Sequence, residues 1–243
     1  MIHELAVVSS KAEIGNNVEI GPFTIVHDNV IVGDNCIIEG YSEIGVSNHL
    51  SQGEHLIIGE DSHIRSHSVF YEGSSFGSGL VTGHRVTVRE NTRAGNNLQI
   101  GTLSDIQGHC SIGNYVRFHS NVHVGQKSKI GDYVWIFPYV VLTNDPHPPS
   151  DILDGVTIED YAVIATMSVV LPGAVVSNGC LIGAHSSVKG TTIPDMVYAG
   201  SPAKKICPTE RIKLKDESGS AYPWRKHFHR GYPEEIIKKW VEE

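Results

Sequence analysis

The sequence lacks most of what would tie it to a membrane, a nucleic acid or a disulfide framework. No stretch approaches the roughly 20 apolar residues of a bilayer-spanning helix. The opening Met1-Ile2-His3-Glu4-Leu5 has neither the basic start nor the apolar run of a secretory leader, so a cytoplasmic protein without a membrane partner is expected. Positive charge is in deficit: 19 Lys and Arg stand against 27 Asp and Glu, and the net charge of −8 disfavours nucleic acid as a partner. Cysteine is scarce, with four in 243 residues and no C-x-x-C pair, so neither a zinc knuckle nor a dithiol redox motif is offered. What is present is a 40% apolar content, enough for a substantial core.

Those apolar residues recur at every sixth position. From Val8 the series runs Ile14, Ile20, Val26, Val32, Ile38 and Ile44. It resumes at Ile58 and continues through Ile64, Phe70, Phe76, Thr82, Val88, Ala94, Ile100, Ile106, Ile112, Phe118, Val124, Ile130, Ile136 and Leu142. A third run holds Ile158, Ile164, Val170, Val176, Ile182 and Val188. A helical period produces no such series. The fifth place of each hexad is nearly always small or β-branched, as at Ala12, Thr24, Cys36, Ser42, Cys110 and Cys180, which suits a narrow interior and marks those three cysteines as core residues. The second place is often Gly, as at Gly15, Gly33, Gly113 and Gly131, which is expected to give the backbone the freedom of a tight corner. One hexad cannot bury its apolar residues, so the units must stack, three to a coil, with successive coils pairing as parallel strands. The fold class expected is all-β, a parallel β-helix whose core is filled by the first and fifth places.

Two breaks in phase predict two protruding loops, one at about 46–57 and one at about 143–157. The second carries Asn144, Asp145, Pro146, His147, Pro148, Pro149, Ser150 and Asp151, and its prolines stiffen it. After Val188 the repeat ends. Residues 1–203 are taken as the β-helix and 204–243 as a tail, whose stretch from Pro233 reads as a short helix with Ile236, Ile237 and Trp240 on one face, capping the last coils.

Fourteen histidines invite a metal site, and His84, His119 and His123 are the tempting trio. They differ in their places within the hexad, so their imidazoles do not stack toward one point, and no metal is expected. His119 and His123 lie near corners. Counting in steps of eighteen sets Asn144 over Gln126 and Asp145 over Lys127, so one patch is expected to hold His119, His123 and the second loop.

The stretches Gly101-Thr102-Leu103-Ser104-Asp105, Phe118-His119-Ser120-Asn121-Val122-His123 and Trp135-Ile136-Phe137-Pro138 through Thr143-Asn144-Asp145-Pro146 resemble the hexapeptide-repeat acyltransferases, whose prism winds left-handed. Within them they are most similar to nucleotide-sugar N-acetyltransferases acting on a dTDP-linked 3-amino-3,6-dideoxyhexose. The resemblance implies a homotrimer with active sites between subunits, a nucleotide-linked amino sugar as acceptor and acetyl-CoA as co-substrate. It places His119, Asn144 and Asp145 at the reacting amine and the pantetheine arm along Ala165 and Ala184. The turn Gly200-Ser201-Pro202-Ala203-Lys204 resembles the family's CoA-proximal ending, which gives Pro202 to the CoA site and offers Lys189, Lys204 or Lys205 to the phosphates.

One departure bears on the acceptor. Related sugar O-acetyltransferases carry T-G-H-P in this loop with His as base, where this chain reads Thr143-Asn144-Asp145-Pro146. A carboxylate, with a pKa of about 3.9, is a poor base for a hydroxyl. An amine needs only positioning and a place for its proton, so Asp145 favours an amino acceptor. O-acetylation and a catalytically silent scaffold are the alternatives.

Overall fold

Most hexads form a two-residue strand followed by a turn, as at Glu13–Ile14, Glu19–Ile20 and Ile25–Val26, in a computed structural model that describes residues 1–242. Strands one coil apart pair in parallel: Val7 with Ile25, Glu13 with Ile31, Glu19 with Ile37. Three flat sheets result. Face A, which starts at Val7–Val8, has ten strands; face B, from Glu13–Ile14, has nine; face C, from Glu19–Ile20, has eleven. The architecture fits the left-handed β-helix that the resemblance implies.

Strand alternation sends the first-place residue of each hexad inward and the residue before it outward. Phe70, Ile106, Ile136 and Leu142 are accordingly fully buried, and so are the fifth-place Val86, Leu98, Val116 and Cys180. Fifth-place serines remain compatible with this interior by returning their hydroxyls to the main chain. Ser128 Oγ donates to Gly125 O at 2.7 Å and Ser68 Oγ to Arg65 O at 2.7 Å. The three repeat cysteines are buried and unpaired, and burial pushes the Cys110 thiol up to about 11.

The corner chemistry differs from expectation. The left-handed backbone falls on the fourth place, at Asn17 (φ 56°), Asn35 (φ 58°) and Tyr133 (φ 58°), and not on the second-place Gly15, Gly33, Gly113 or Gly131. Gly33 is small for another reason: a Cβ there would meet Glu60 N at 2.5 Å and Glu60 Cα at 2.9 Å in the next coil. Asparagine tolerates the positive φ, and its amide can stack, as Asn17 Nδ2 does on Asn35 Oδ1 at 3.2 Å.

Both loops leave at the edge between faces A and B, after Glu43–Val46 and after Val141–Leu142, and the chain rejoins face B at Leu56–Ile58 and Thr157–Ile158. Buried carboxylates moor the first loop. Glu72 accepts from Ser47 Oγ and Asn29 Nδ2, each at 2.9 Å, and Glu90 from Asn48 Nδ2 at 3.1 Å.

The tail does not cap the last coils; it lies along face C. Met196–Ala199 joins that sheet in parallel, and Lys204–Pro208 turns back antiparallel to it. The chain then descends to helix α1 (Glu234–Glu242). Trp224, Tyr232 and Trp240 are buried with Val163 of face C, against the stacked Tyr115, Tyr133 and Tyr161 of the edge between faces B and C. Trp135 Nε1 donates to Tyr232 OH at 2.9 Å, Trp224 Nε1 to Tyr161 O at 3.0 Å, and Arg117 Nη2 to the carbonyls of Arg230 and Gly231 at 3.1 Å each. Buried indoles and guanidinium stems carry large contact areas, so the tail is docked to the prism.

Candidate functional site

The residues expected at the site divide between two edges. His119 follows the face C strand Arg117–Phe118 and stands on the edge between faces C and A. Its N–H donates to Ile136 O and its carbonyl accepts from Ser104 Oγ, so the backbone is fixed by the neighbouring coil. Its imidazole stacks on Phe137 at 4.7 Å and 16°, and neither ring nitrogen has a hydrogen-bond partner among the described residues. Burial, with help from the Arg117 charge, holds its pKa below the ordinary histidine value. A neutral base with a free nitrogen at neutral pH is the chemical consequence.

Ala165 and Ala184 lie on this same edge, following the face C strands Val163–Ile164 and Leu181–Ile182 in the coils beyond His119. Gly200 accepts from Ser187 N, and Ala203 N donates to Ser187 O, which brings the turn bearing Pro202 to the far end of the line. Pro202, Lys204 and Lys205 are exposed there.

Asn144 and Asp145 stand on the other edge, between faces A and B. Asn144 rises beside Gly125, its Cβ 3.2 Å from where a Gly125 Cβ would sit, and its carbonyl accepts from Asp154 N at 2.7 Å. The place over Lys127 is taken by the returning Gly155, not by Asp145. Asp145 turns its carboxylate into its own loop. Oδ1 accepts from His147 N at 2.9 Å and Ser150 Oγ at 2.6 Å, and Oδ2 from Ser150 N at 2.9 Å. The Ser150 hydroxyl, then the two N–H groups, hold it below the usual carboxylate range. Lys189 is exposed on this edge, after Ser187–Val188 of face A. His123 points out of face A and pairs with Asp105 at 3.2 Å. A single patch within one chain therefore does not form.

Trp135 and Phe137 are covered by the chain's own tail, while Tyr139 remains 53% exposed. Sequence reasoning also missed a polar cluster below His119 on its edge. Glu39 Oε1 meets His63 Nε2 at 2.9 Å, and Ser66 Oγ meets His84 Nδ1 at 2.9 Å. Glu39 Oε2 lies 3.9 Å from that same Nδ1, so no carboxylate, imidazole and hydroxyl are arranged in series and the cluster is not a nucleophilic triad. Its signal was the recurrence of Glu39, Ser66 and His84 near one edge.

Comparison with known proteins bears on the repeat and the fold. Residues 11–45 match the family model described as bacterial transferase hexapeptide (six repeats). A curated relative, the putative lipopolysaccharide biosynthesis O-acetyl transferase WbbJ of Escherichia coli (strain K12), is 32% identical over 111 residues, 39% of this chain and 55% of that protein. The chain thus spans about half the length of the curated relative it matches. In fold it is similar to an Arabidopsis UDP-N-acetylglucosamine acyltransferase, with a TM-score of 0.60 and 20% identity over 86% of this chain and 74% of that one. It is also similar to the UDP-N-acetylglucosamine acyltransferase of Campylobacter jejuni, with a TM-score of 0.53 and 18% identity over 100% and 90% of the two chains. The repeat, the relative and the fold together support the likeness to hexapeptide-repeat acyltransferases read from the sequence.

Proposed function

We propose that the chain transfers an acetyl group from acetyl-CoA to the amino group of a nucleotide-linked amino sugar such as a dTDP-3-amino-3,6-dideoxyhexose. The observation that carries the acyl transfer is the edge between faces C and A, where the unbonded imidazole of His119 stands in line with Ala165, Ala184 and the Pro202 turn. Small residues leave the main chain open to an extended arm. The Ala165 N–H is already given to Ile182 O, so its carbonyl is the group that meets a pantetheine amide. Lys204 and Lys205 are exposed cations for the phosphates at the end of that line, and Lys189, on the edge between faces A and B, would reach them from a neighbouring copy.

In this reading the amine nitrogen attacks the thioester carbonyl, the N–C bond forms and the C–S bond breaks. One amine proton passes to neutral His119 and then to the departing thiolate. Asn144 hydrogen-bonds at the reacting centre. Asp145, for which the sequence suggested proton transfer, is given the shaping of the loop that carries Asn144, because both its oxygens are already used. A homotrimer is part of the proposal: the edge bearing His119 and the edge bearing Asn144 are apart in one chain, and a neighbouring copy would bring one against the other. Most of the acceleration comes from holding two substrates together.

O-acetylation of a sugar is the second reading, favoured by the name of the curated relative and by a free imidazole fit to deprotonate a hydroxyl. Thiol release from acetyl-CoA, measured against paired nucleotide-linked amino and hydroxy sugars, decides between them. Turnover confined to the amino sugars is expected; turnover confined to the hydroxy sugars reverses the assignment, and none with either defeats both.

A further inference from the structure

The tail does more than cover face C. Between them lies a cavity of about 500 Å³, within the size range of small-molecule sites, about 300–1,000 Å³. Trp135 of face C, Phe137 at the edge between faces C and A, and Trp224 and Phe228 of the tail give it flat aromatic walls. Arg117 and Arg230 are its cations, and none of its lining residues is acidic. That last point stands out in a chain of net charge −8. The tail from Ser218 to Pro233 contains Arg225, Lys226 and Arg230 and no carboxylate. Arg117 is committed to holding the tail, through two carbonyls and the Trp135 and Tyr232 rings at 4.8 and 4.5 Å. Arg230 is exposed. The cavity is next to His119, since Phe137, one of its walls, is the ring on which that imidazole stacks.

We propose that this cavity takes the nucleoside diphosphate of the acceptor, with the base between the aromatic walls and the diphosphate at Arg230, so that the sugar is delivered to His119. Planar walls match a base, which stacks on aromatic side chains whatever its identity. A cationic rim without carboxylates matches a diphosphate. The competing occupant with the same chemistry is the adenosine diphosphate portion of CoA. It is disfavoured by position, because Ala165, Ala184 and the Pro202 turn extend along the edge between faces C and A, which the cavity meets at Phe137 alone, its other lining residues belonging to face C and the tail. The inference rests on the proposal that the acceptor is nucleotide-linked.

The test is direct binding by the full chain, with dTDP, UDP, 3′,5′-ADP and CoA titrated separately and followed by calorimetry and by quenching of tryptophan fluorescence. Phe228→Ala and Arg230→Ala are the variants, because both residues are exposed and the packing of Trp224, Tyr232 and Trp240 is left alone; near-ultraviolet dichroism verifies that it is. Each variant is expected to weaken dTDP or UDP by about tenfold, the loss of one stacked base or one charge-assisted contact, with CoA affinity unchanged. Pyrimidine nucleotide affinity unchanged in both variants overturns the inference. So does weakening of CoA and 3′,5′-ADP alone, which hands the cavity to the co-substrate. The reaction and the cavity fail separately. Acylation of a nucleotide-linked amino sugar with an unaltered acceptor KM in both variants defeats the cavity and leaves the reaction standing. Nucleotide binding that depends on Phe228 and Arg230, in a protein that acylates no such sugar, does the reverse.

Discussion

His119 and Asp145 are both polar residues at corners of the same prism, and their surroundings have prepared them for opposite tasks. The imidazole is half-buried against Phe137, has no hydrogen-bond partner and is held in its neutral form. The carboxylate is held in its charged form by three hydrogen bonds from its own loop. A group whose bonding capacity is filled by its own chain supports structure, whereas a desolvated group with an empty valence is free to act on something else. The difference teaches that residue type at a corner is a weak guide to role, and that the count of satisfied partners is a better one.

The largest effect is expected at His119. With the imidazole as proton acceptor, His119→Ala should lower kcat/KM by about 10²- to 10⁴-fold, the usual span for a general base. Thiol release at saturating acetyl-CoA measures it, with thermal unfolding as a check that the prism is intact. A loss under about threefold removes the edge between faces C and A from the chemistry.

Complementation sharpens the comparison between edges. His119→Ala and Asn144→Ala chains should each be impaired alone. If each site takes its imidazole from one chain and its loop from the next, random mixing in a trimer leaves roughly one site in four with both wild-type edges. Activity of the co-expressed chains should rise to about that fraction. No recovery, in oligomers shown by mass to be mixed, places both residues in one chain's site.

How much of this was written in the sequence depends on the range of the interaction. The prism was legible because its instruction repeats every sixth residue, and inward Ile106 or Cys110 needs no distant partner to be recognised. The two loops, after Val46 and after Leu142, were legible as breaks in the same phase. The corner was misread because a second-place glycine answers a close approach by the next coil, which resembles a demand for positive φ until the backbone is seen. The division of the site was available and overlooked: His119 belongs to the hexad at Phe118 and Asn144 to that at Leu142, four hexads on, which is one coil and one side. The tail's course was not available. Trp224 answers Tyr161, and Arg117 answers Arg230, across intervals with no period to announce them.

A smaller effect is expected at Asp145. Asp145→Asn keeps one acceptor oxygen and loses the charge, so the bonds to Ser150 and His147 weaken and the loop loosens without any loss of a proton acceptor. A fall in kcat/KM of less than about tenfold follows if the residue only shapes the loop, against about 10²-fold or more if it handles the proton. Ser150→Ala should reproduce the smaller effect, because it removes the hydroxyl that donates at 2.6 Å while sparing the carboxylate. A large loss in Asp145→Asn beside a silent Ser150→Ala would return the chemistry to the carboxylate.

The smallest effect concerns pH and isolates the cause of the imidazole's neutrality. Burial and the Arg117 charge both penalise the imidazolium, so the folded pKa of His119 lies below 6.5 and the ring stays mostly neutral at a pH where an unperturbed histidine is half protonated. Two protons must then be absent for reaction, one from the sugar amine and one from His119. The logarithm of kcat/KM should climb with a slope of about 2 at low pH and of about 1 once His119 is neutral, and the break between them should fall below 6.5. Arg117→Gln removes the repelling charge and should move the break upward, toward the unperturbed value; limited proteolysis of the tail establishes whether residues 222–242 stay docked in that variant. A break at or above 6.5 in the wild-type protein would contradict the desolvated setting of His119. A break unmoved in a docked Arg117→Gln variant assigns the whole depression to burial.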